Sequence, residues 1–284
     1  MIGSRLRRGW FCLLAAAGCA TGHTPLGGDD DDDTGGPDAG GQLADAGPEP
    51  DAQPELPTAC EEALAAAAFD FEDGNAGWRH DIMPEIEGTT VNWRFDDWEA
   101  GTASNVGPAA CHDGTGCWGT RLDNNYISCQ RAYVRSPAID LSACAGESLT
   151  LSFFHWYDFW SGDWDGQTWF DGGIVELGGA GPGWSSPPGV EYPGTIAINP
   201  DKGPSYPCIE PDSFYVDGRP GYVGASGGWQ EVSVAIPAEL VAAGFQVRFS
   251  YASGVSLEST TQNAENFSNA GWYIDDLAVV AGER

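Results

Sequence analysis

Two stretches of this chain carry a large, mostly apolar side chain at every second position. In 148–158 (SLTLSFFHWYD), Leu149, Leu151, Phe153, His155 and Tyr157 fall on one side. In 244–252, Phe245, Val247, Phe249 and Tyr251 alternate with Gln246, Arg248, Ser250 and Ala252. A period of two places alternate side chains on opposite faces of a strand, so each run is a strand with one buried face. Residues 229–236 (WQEVSVAI) repeat the pattern, and further strands are predicted at 69–74, 90–95, 117–122, 131–135, 173–178 and 271–280. Only 237–243 reads as helical, a turn or two ended by Gly244. The 40 glycines and 19 prolines stand mostly between these runs, as turn residues. Many short strands joined by glycine-rich turns predict an all-β protein, a jelly-roll β-sandwich of two antiparallel sheets.

The opening run, Phe69-Asp70-Phe71-Glu72-Asp73-Gly74, and the closing one, Gly271 to Val279, both carry carboxylates at or beside buried positions. An acidic pair inside an apolar strand is costly unless something neutralises it. A hard cation such as calcium, which takes carboxylate oxygens, would do so. The first and last strands are therefore expected to meet near a metal.

The N-terminus reads as an export signal over 1–18. Arg5, Arg7 and Arg8 precede an apolar run from Trp10 to Ala17, too short to cross a bilayer as a helix. The small residues Ala16, Ala17 and Gly18 lead into Cys19, a pattern that resembles a bacterial lipoprotein signal with Cys19 as the lipidated residue. An acidic tether is expected over 19–58, including the five acids Asp29 to Asp33. With almost no large apolar side chains, it cannot offset its ordering entropy, and its like charges keep it extended. The folded domain is assigned to 59–284. Together these features place the chain on the outer membrane or cell surface by a lipid anchor, or otherwise in the periplasm or outside the cell.

The formal charge is −30. Residues 63–284 hold 30 acids and 9 bases, a balance of −21, so the excess is not confined to the tether. Such a surface repels phosphate backbones, which excludes nucleic acid as a partner. Six cysteines follow Cys19, and an even number in an exported chain reads as three disulfides with fifteen possible pairings. Cys111 and Cys117 enclose a loop with Gly114 and Gly116 and are paired on that ground. Cys129 and Cys144 flank 132–139, which leaves Cys60 for Cys208.

The order of segments along 69–280 resembles the MAM-type jelly-roll modules of extracellular proteins and the accessory sandwich modules of immune inhibitor A-type secreted peptidases. The matching pieces are FDFEDG, FDDW at 95–98, CWGTRL with Tyr126, S-P-x-I-D-L-S at 136–142, LSFFHWYD, DGGIVEL at 171–177, Trp184, Trp229 and GWYIDD. The resemblance implies a non-catalytic adhesion or binding module with a structural calcium ion near its terminal strands. By position, Glu72, Asp97, Asp275 and Asp276 would be the ligands.

No HExxH occurs, and His155, mid-strand among aromatics, reads as a core residue. Gly224-Ala225-Ser226-Gly227-Gly228 matches G-x-S-x-G, but a strand rather than a helix is predicted after it, so it reads as a turn. The unusual stretch is 159–171, where Trp160, Trp164 and Trp169 crowd a predicted loop with Asp163, Asp165 and Asp171. Exposed rings are platforms for sugars, and adjacent acids accept hydroxyl hydrogen bonds. The same rings could instead cap the end of the sandwich. Three functions follow: a carbohydrate- or protein-binding module, a glycosidase-like enzyme using paired loop carboxylates, and a structural envelope protein.

Overall fold

The structure, a computed structural model, describes residues 56–83, 96–128, 130–164, 167–181, 183–198, 215–254 and 269–282. The signal, nearly all of the tether, the strand predicted at 90–95, Cys19, Cys129, Asp165, Cys208 and the side chain of Trp164 lie outside the described residues. In chain order, helix α1 (Thr58–Ala66) leads to β1 (Ala68–Phe69), β2 (Arg79–Ile82), β3 (Trp98–Gly101), β4 (Cys117–Thr120), β5 (Arg131–Arg135), β6 (Ile139–Asp140), β7 (Leu149–Asp158), β8 (Ser161–Trp164) and β9 (Gln167–Phe170). There follow β10 (Gly172–Gly178), β11 (Trp184–Ser185), β12 (Gly194–Thr195), β13 (Pro220–Val223), β14 (Gln230–Ala235), β15 (Ala243–Ala252) and β16 (Gly271–Ala281).

The strands form two main antiparallel sheets and a separate two-stranded one, β8-β9, so the chain is an all-β sandwich. One sheet runs β14-β7-β16-β4-β3, with β1 also on β16; the other runs β12-β13-β10-β15-β5-β2, with β11 on β10 and β6 on β15. The alternation in the sequence sets the inner faces. Along β7 every odd residue from Leu149 to Tyr157 is buried, and the intervening ones are half-exposed. From the facing sheet, Val175, Leu177, Phe245, Val247, Phe249 and Tyr251 meet them in one core cluster. Phe249 stands 5.0 Å from Phe153 and 5.5 Å from Trp272, both edge to face, which ties the sheets together. Rings of this size dominate core energetics, and truncating one to alanine costs about 3–5 kcal/mol. His155 lies inside this core, where its Nδ1 accepts the Trp272 indole N–H at 3.3 Å and desolvation lowers its pKa to about 3.

Several sequence expectations are corrected. The opening run is a strand only at Ala68–Phe69, which pairs with Leu277 and Ala278 of β16. Phe71 turns into the left-handed region (φ 55) and drives its ring edge-on against Trp78 at 5.4 Å. The helical reading of 237–243 shrinks to a 3-10 turn at Ala238–Leu240, since β15 begins at Ala243. A real helix, α1, stands instead at the end of the acidic tether, in an alanine-rich run that favours it. Its Cys60 is bonded to Cys144 in the 3-10 turn Ser142–Cys144, not to Cys208, and Cys144 is therefore not bonded to Cys129. Cys111 is joined to Cys117.

Candidate functional site

The 159–171 stretch is a hairpin, not a loop. β8 and β9 pair with each other as a two-stranded sheet, with Asp163 opposite Thr168 and Gly162 opposite Trp169, and Phe170 of β9 also bridges to Ala197. Its base is fixed by buried polar groups. Asp171 is wholly buried and accepts hydrogen bonds from the Tyr126 hydroxyl and the Gly254 N–H, each at 2.7 Å. The same Tyr126 hydroxyl accepts the Trp160 N–H at 2.9 Å, so one side chain holds both ends of the hairpin. Phe159 packs in the core, and Phe170 and Ala197 exchange backbone hydrogen bonds at 2.8 and 3.0 Å. Burial pushes the Asp171 carboxyl up to about 7, and burial likewise raises Tyr126.

This placement divides the six expected ligand residues. Asp171 is a clamp, not a surface group: its donors come from distant segments, and no face of it meets solvent. Trp160 packs against the core and lies flat against Gly162, where any Cβ would collide with its ring. Asp163 is exposed and accepts from the Thr168 hydroxyl at 2.5 Å. Trp169 is half-buried, with an indole N–H that meets no acceptor among the described residues. Asp163 and Trp169, with exposed Gln167 and Thr168, are what the hairpin offers to a ligand.

The four acids expected to bind calcium separate into two groups. Glu72, Asp275 and Asp276 all address the loop closed by Cys111 and Cys117. Glu72 accepts the N–H groups of Thr115 at 2.8 Å and Gly116 at 2.7 Å, and these bonds lower its pKa. Gly114 (φ +58) permits the approach, since a Cβ there would collide with the Glu72 carboxylate. At β16 one extra residue bulges between Asp275 and Ala278, and Asp276 takes φ 46. Asp275 thereby accepts the His112 N–H at 2.9 Å and the Asp276 N–H at 2.8 Å; burial first, then the charge of Asp276, pushes it up to about 7. Asp276 pairs with the His112 ring at 2.6 Å. Asp97 has other partners: it is buried with Tyr251, whose hydroxyl donates to it, and with the Ile127 N–H, and burial pushes it up to about 6. Among the described residues no three His, Cys, Asp or Glu side chains group to hold a metal ion. Backbone N–H donors serve Glu72 and Asp275, the His112 ring serves Asp276, and Asp97 stands with Tyr251 instead of joining them.

Sequence reasoning missed a third polar cluster. On the outward side of β10, buried Glu176 accepts from Arg248 Nε and Nη2 at 2.9 and 2.6 Å, Arg219 Nη1 at 3.0 Å, the Tyr215 hydroxyl at 2.7 Å and the Ser250 hydroxyl at 3.0 Å. An acid in the centre of an apolar strand (DGGIVEL), in a chain with few arginines, is the signal that marks it. Ser226, in the G-x-S-x-G segment, exchanges hydrogen bonds with the Tyr157 backbone at 3.0 and 3.2 Å and serves as a turn residue before β14.

No family model matches this chain, and no curated protein matches it. Among solved structures, the K2 cleaved adhesin domain of Lys-gingipain aligns at TM-score 0.33 and 13% identity, over 76% of this chain and 99% of that one. The CBM22-2 xylan-binding domain of Paenibacillus barcinonensis Xyn10C aligns at TM-score 0.33 and 16% identity, over 76% and 99%. The tandem CBM22-1-CBM22-2 domain of the same protein gives the same score and identity over 76% of this chain and 50% of that one. At such scores the likeness carries no functional argument.

Proposed function

We propose that this chain is a non-catalytic binding module that takes a glycan or a protein ligand outside the cytoplasm. The hairpin β8–β9 is the observation that carries the reading. It forms its own two-stranded sheet, its base is clamped by buried Asp171 and Tyr126, and it carries half-buried Trp169 with exposed Gln167 on one face and exposed Asp163 with Thr168 on the other. Preorganised aromatic and polar groups of this kind suit recognition of sugar rings. The glycosidase reading needs two carboxylates at the substrate, and burial removes Asp171 from that role, which leaves it Asp163 and Asp165.

The proposal includes the export signal, lipidation at Cys19, a membrane anchor and the acidic tether, all resting on the N-terminal sequence pattern. It also includes the MAM-like relationship, which rests on the order of the quoted segments. Calcium is left out, because loop N–H groups and His112 serve the acids that would hold it. The test is a glycan-array screen of the full chain beside Trp169→Ala and Asp163→Ala. Binding without turnover that falls in both variants supports the reading; product formation, or binding indifferent to both, refutes it.

A further inference from the structure

The chain carries 12 lysines and arginines against 42 acids, yet its arginines gather. Of those described, Arg79, Arg131, Arg135, Arg219 and Arg248 stand on or reach the outward face of one sheet, and Arg121 alone does not. Three fall in a single row. Arg79 of β2 is opposite Arg135 of β5, and Arg135 is opposite Arg248 of β15, which is opposite Glu176 of β10. Like charges directly opposed destabilise a sheet, so such a row calls for neutralising partners.

Glu176 satisfies Arg248 and Arg219. The Tyr133 ring lies between two guanidiniums, 5.9 Å from that of Arg135 and 5.6 Å from that of Arg248. Arg248 is thus fixed by Glu176, and the ring that Arg248 touches also seats Arg135. Arg79 and Arg135 themselves have no ion pair among the described residues. They flank a cavity of about 450 Å³ whose wall includes Asn75, Asp81, Tyr133 and Trp78. The Trp78 indole N–H meets no acceptor among the described residues. An adjoining groove of about 280 Å³ shares both arginines.

We propose that this cavity binds a carboxylate-bearing sugar, a uronate residue of an acidic glycan, with Arg79 and Arg135 taking the carboxylate. A planar guanidinium fork matches a carboxylate, register places two of them side by side, and the Tyr133 ring seats one of the two, Arg135. The volume lies in the range of small-ligand sites. Asp81 separates the candidate anions. It stands on the same face, one pair along β2 from Arg79 and opposite Tyr133. A carboxylate there disfavours a doubly charged phosphate but accepts sugar hydroxyls, as Asn75 also can. In so acidic a chain, a basic patch such as this one, which gathers most of the described arginines, focuses the field on an anion. The inference rests on the binding-module reading for its choice of a glycan. It uses a surface other than the hairpin, so the two fail separately.

The experiment is calorimetric titration of the full chain with trigalacturonate, with its fully methyl-esterified form and with inorganic phosphate. Arg79→Gln, Arg135→Gln and Trp169→Ala are run alongside. Trigalacturonate is expected to bind, the ester to bind at least tenfold more weakly, and each arginine variant to lose tenfold or more at an unchanged melting temperature. Trp169→Ala is expected to leave this binding intact. Absence of trigalacturonate binding, equal binding of the ester, phosphate binding as tight as the uronate, or binding retained in both arginine variants would overturn the proposal. None of these outcomes bears on glycans recognised by the hairpin.

Discussion

Replacing Tyr126 with phenylalanine removes one oxygen and two hydrogen bonds. The hydroxyl donates to buried Asp171 at 2.7 Å and accepts the Trp160 N–H at 2.9 Å. A hydrogen bond to a charged group contributes about 1.5–3 kcal/mol, and an orphaned buried N–H costs about 1–3 kcal/mol. The sum is roughly 2.5–6 kcal/mol at pH 8. At about 2–4 °C per kcal/mol for a domain of this size, the melting temperature should fall by roughly 5–24 °C. The loss should depend on pH. The folded-state pKa of Asp171 is raised to about 7 from 3.8, so the folded state holds a proton that the unfolded state releases. Its contribution to stability is present below the unfolded value and is lost as pH rises through about 7. Tyr126 lowers that pKa, so Tyr126→Phe raises it further, and the variant's deficit should widen above pH 7. Paired thermal melts of both proteins from pH 5 to pH 8.5 measure this. A deficit constant with pH, or under about 1 kcal/mol throughout, would refute the clamp.

Other consequences can be checked directly. Non-reducing peptide mapping should recover Cys60 joined to Cys144 and Cys111 to Cys117; a Cys60–Cys208 peptide would contradict the fold at α1. Opening the Cys60–Cys144 bridge, which spans 84 residues, should lower stability by about 4–5 kcal/mol on the chain-entropy account. Glu176→Gln strips the buried partner from Arg248 and should destabilise by about 3–5 kcal/mol in urea unfolding; a change below about 1 kcal/mol would show that the cluster is not satisfied as described. Chelation should leave the melting temperature unchanged, because N–H groups hold Glu72 and Asp275; a fall of several degrees, restored by calcium, would reinstate the metal.

The long strands were legible because their alternation is a local property. β7 buries one face residue by residue, as its sequence implies, whereas β15 from Val247 and β16 from Gly271 to Asp275 are buried on both faces, which their alternation did not announce. The opening segment misled because Phe69 and Phe71 alternate like a strand, although the chain turns at Phe71 and both rings still reach Trp78. α1 was hidden by its neighbour: its alanines continue the bland composition of the tether, and the bond to Cys144 with the packing of Ala63 and Leu64 on the core marks it as part of the fold. Asp171 looked like Asp163 in sequence, and the difference lies in Tyr126 and Gly254, which reach it from 45 and 83 residues away. The arginine row could not be read at all, since a row across a sheet exists only once register is set. His155 was read as a core residue because it shares a face with Phe153 and Tyr157, and that reasoning is again local.

The central claim is that the hairpin is a recognition surface on a non-catalytic module. Its sharpest test is a joint measurement on Trp169→Ala: glycan-array signal and melting temperature against the unaltered full chain. A surface ring that stacks on a sugar should take at least tenfold of the affinity with it and shift the melting temperature by no more than about 2 °C, by analogy with stacking on other ring ligands. A fall in stability of about 3–5 kcal/mol with array binding unchanged would instead make Trp169 a cap on the core, and would contradict the account.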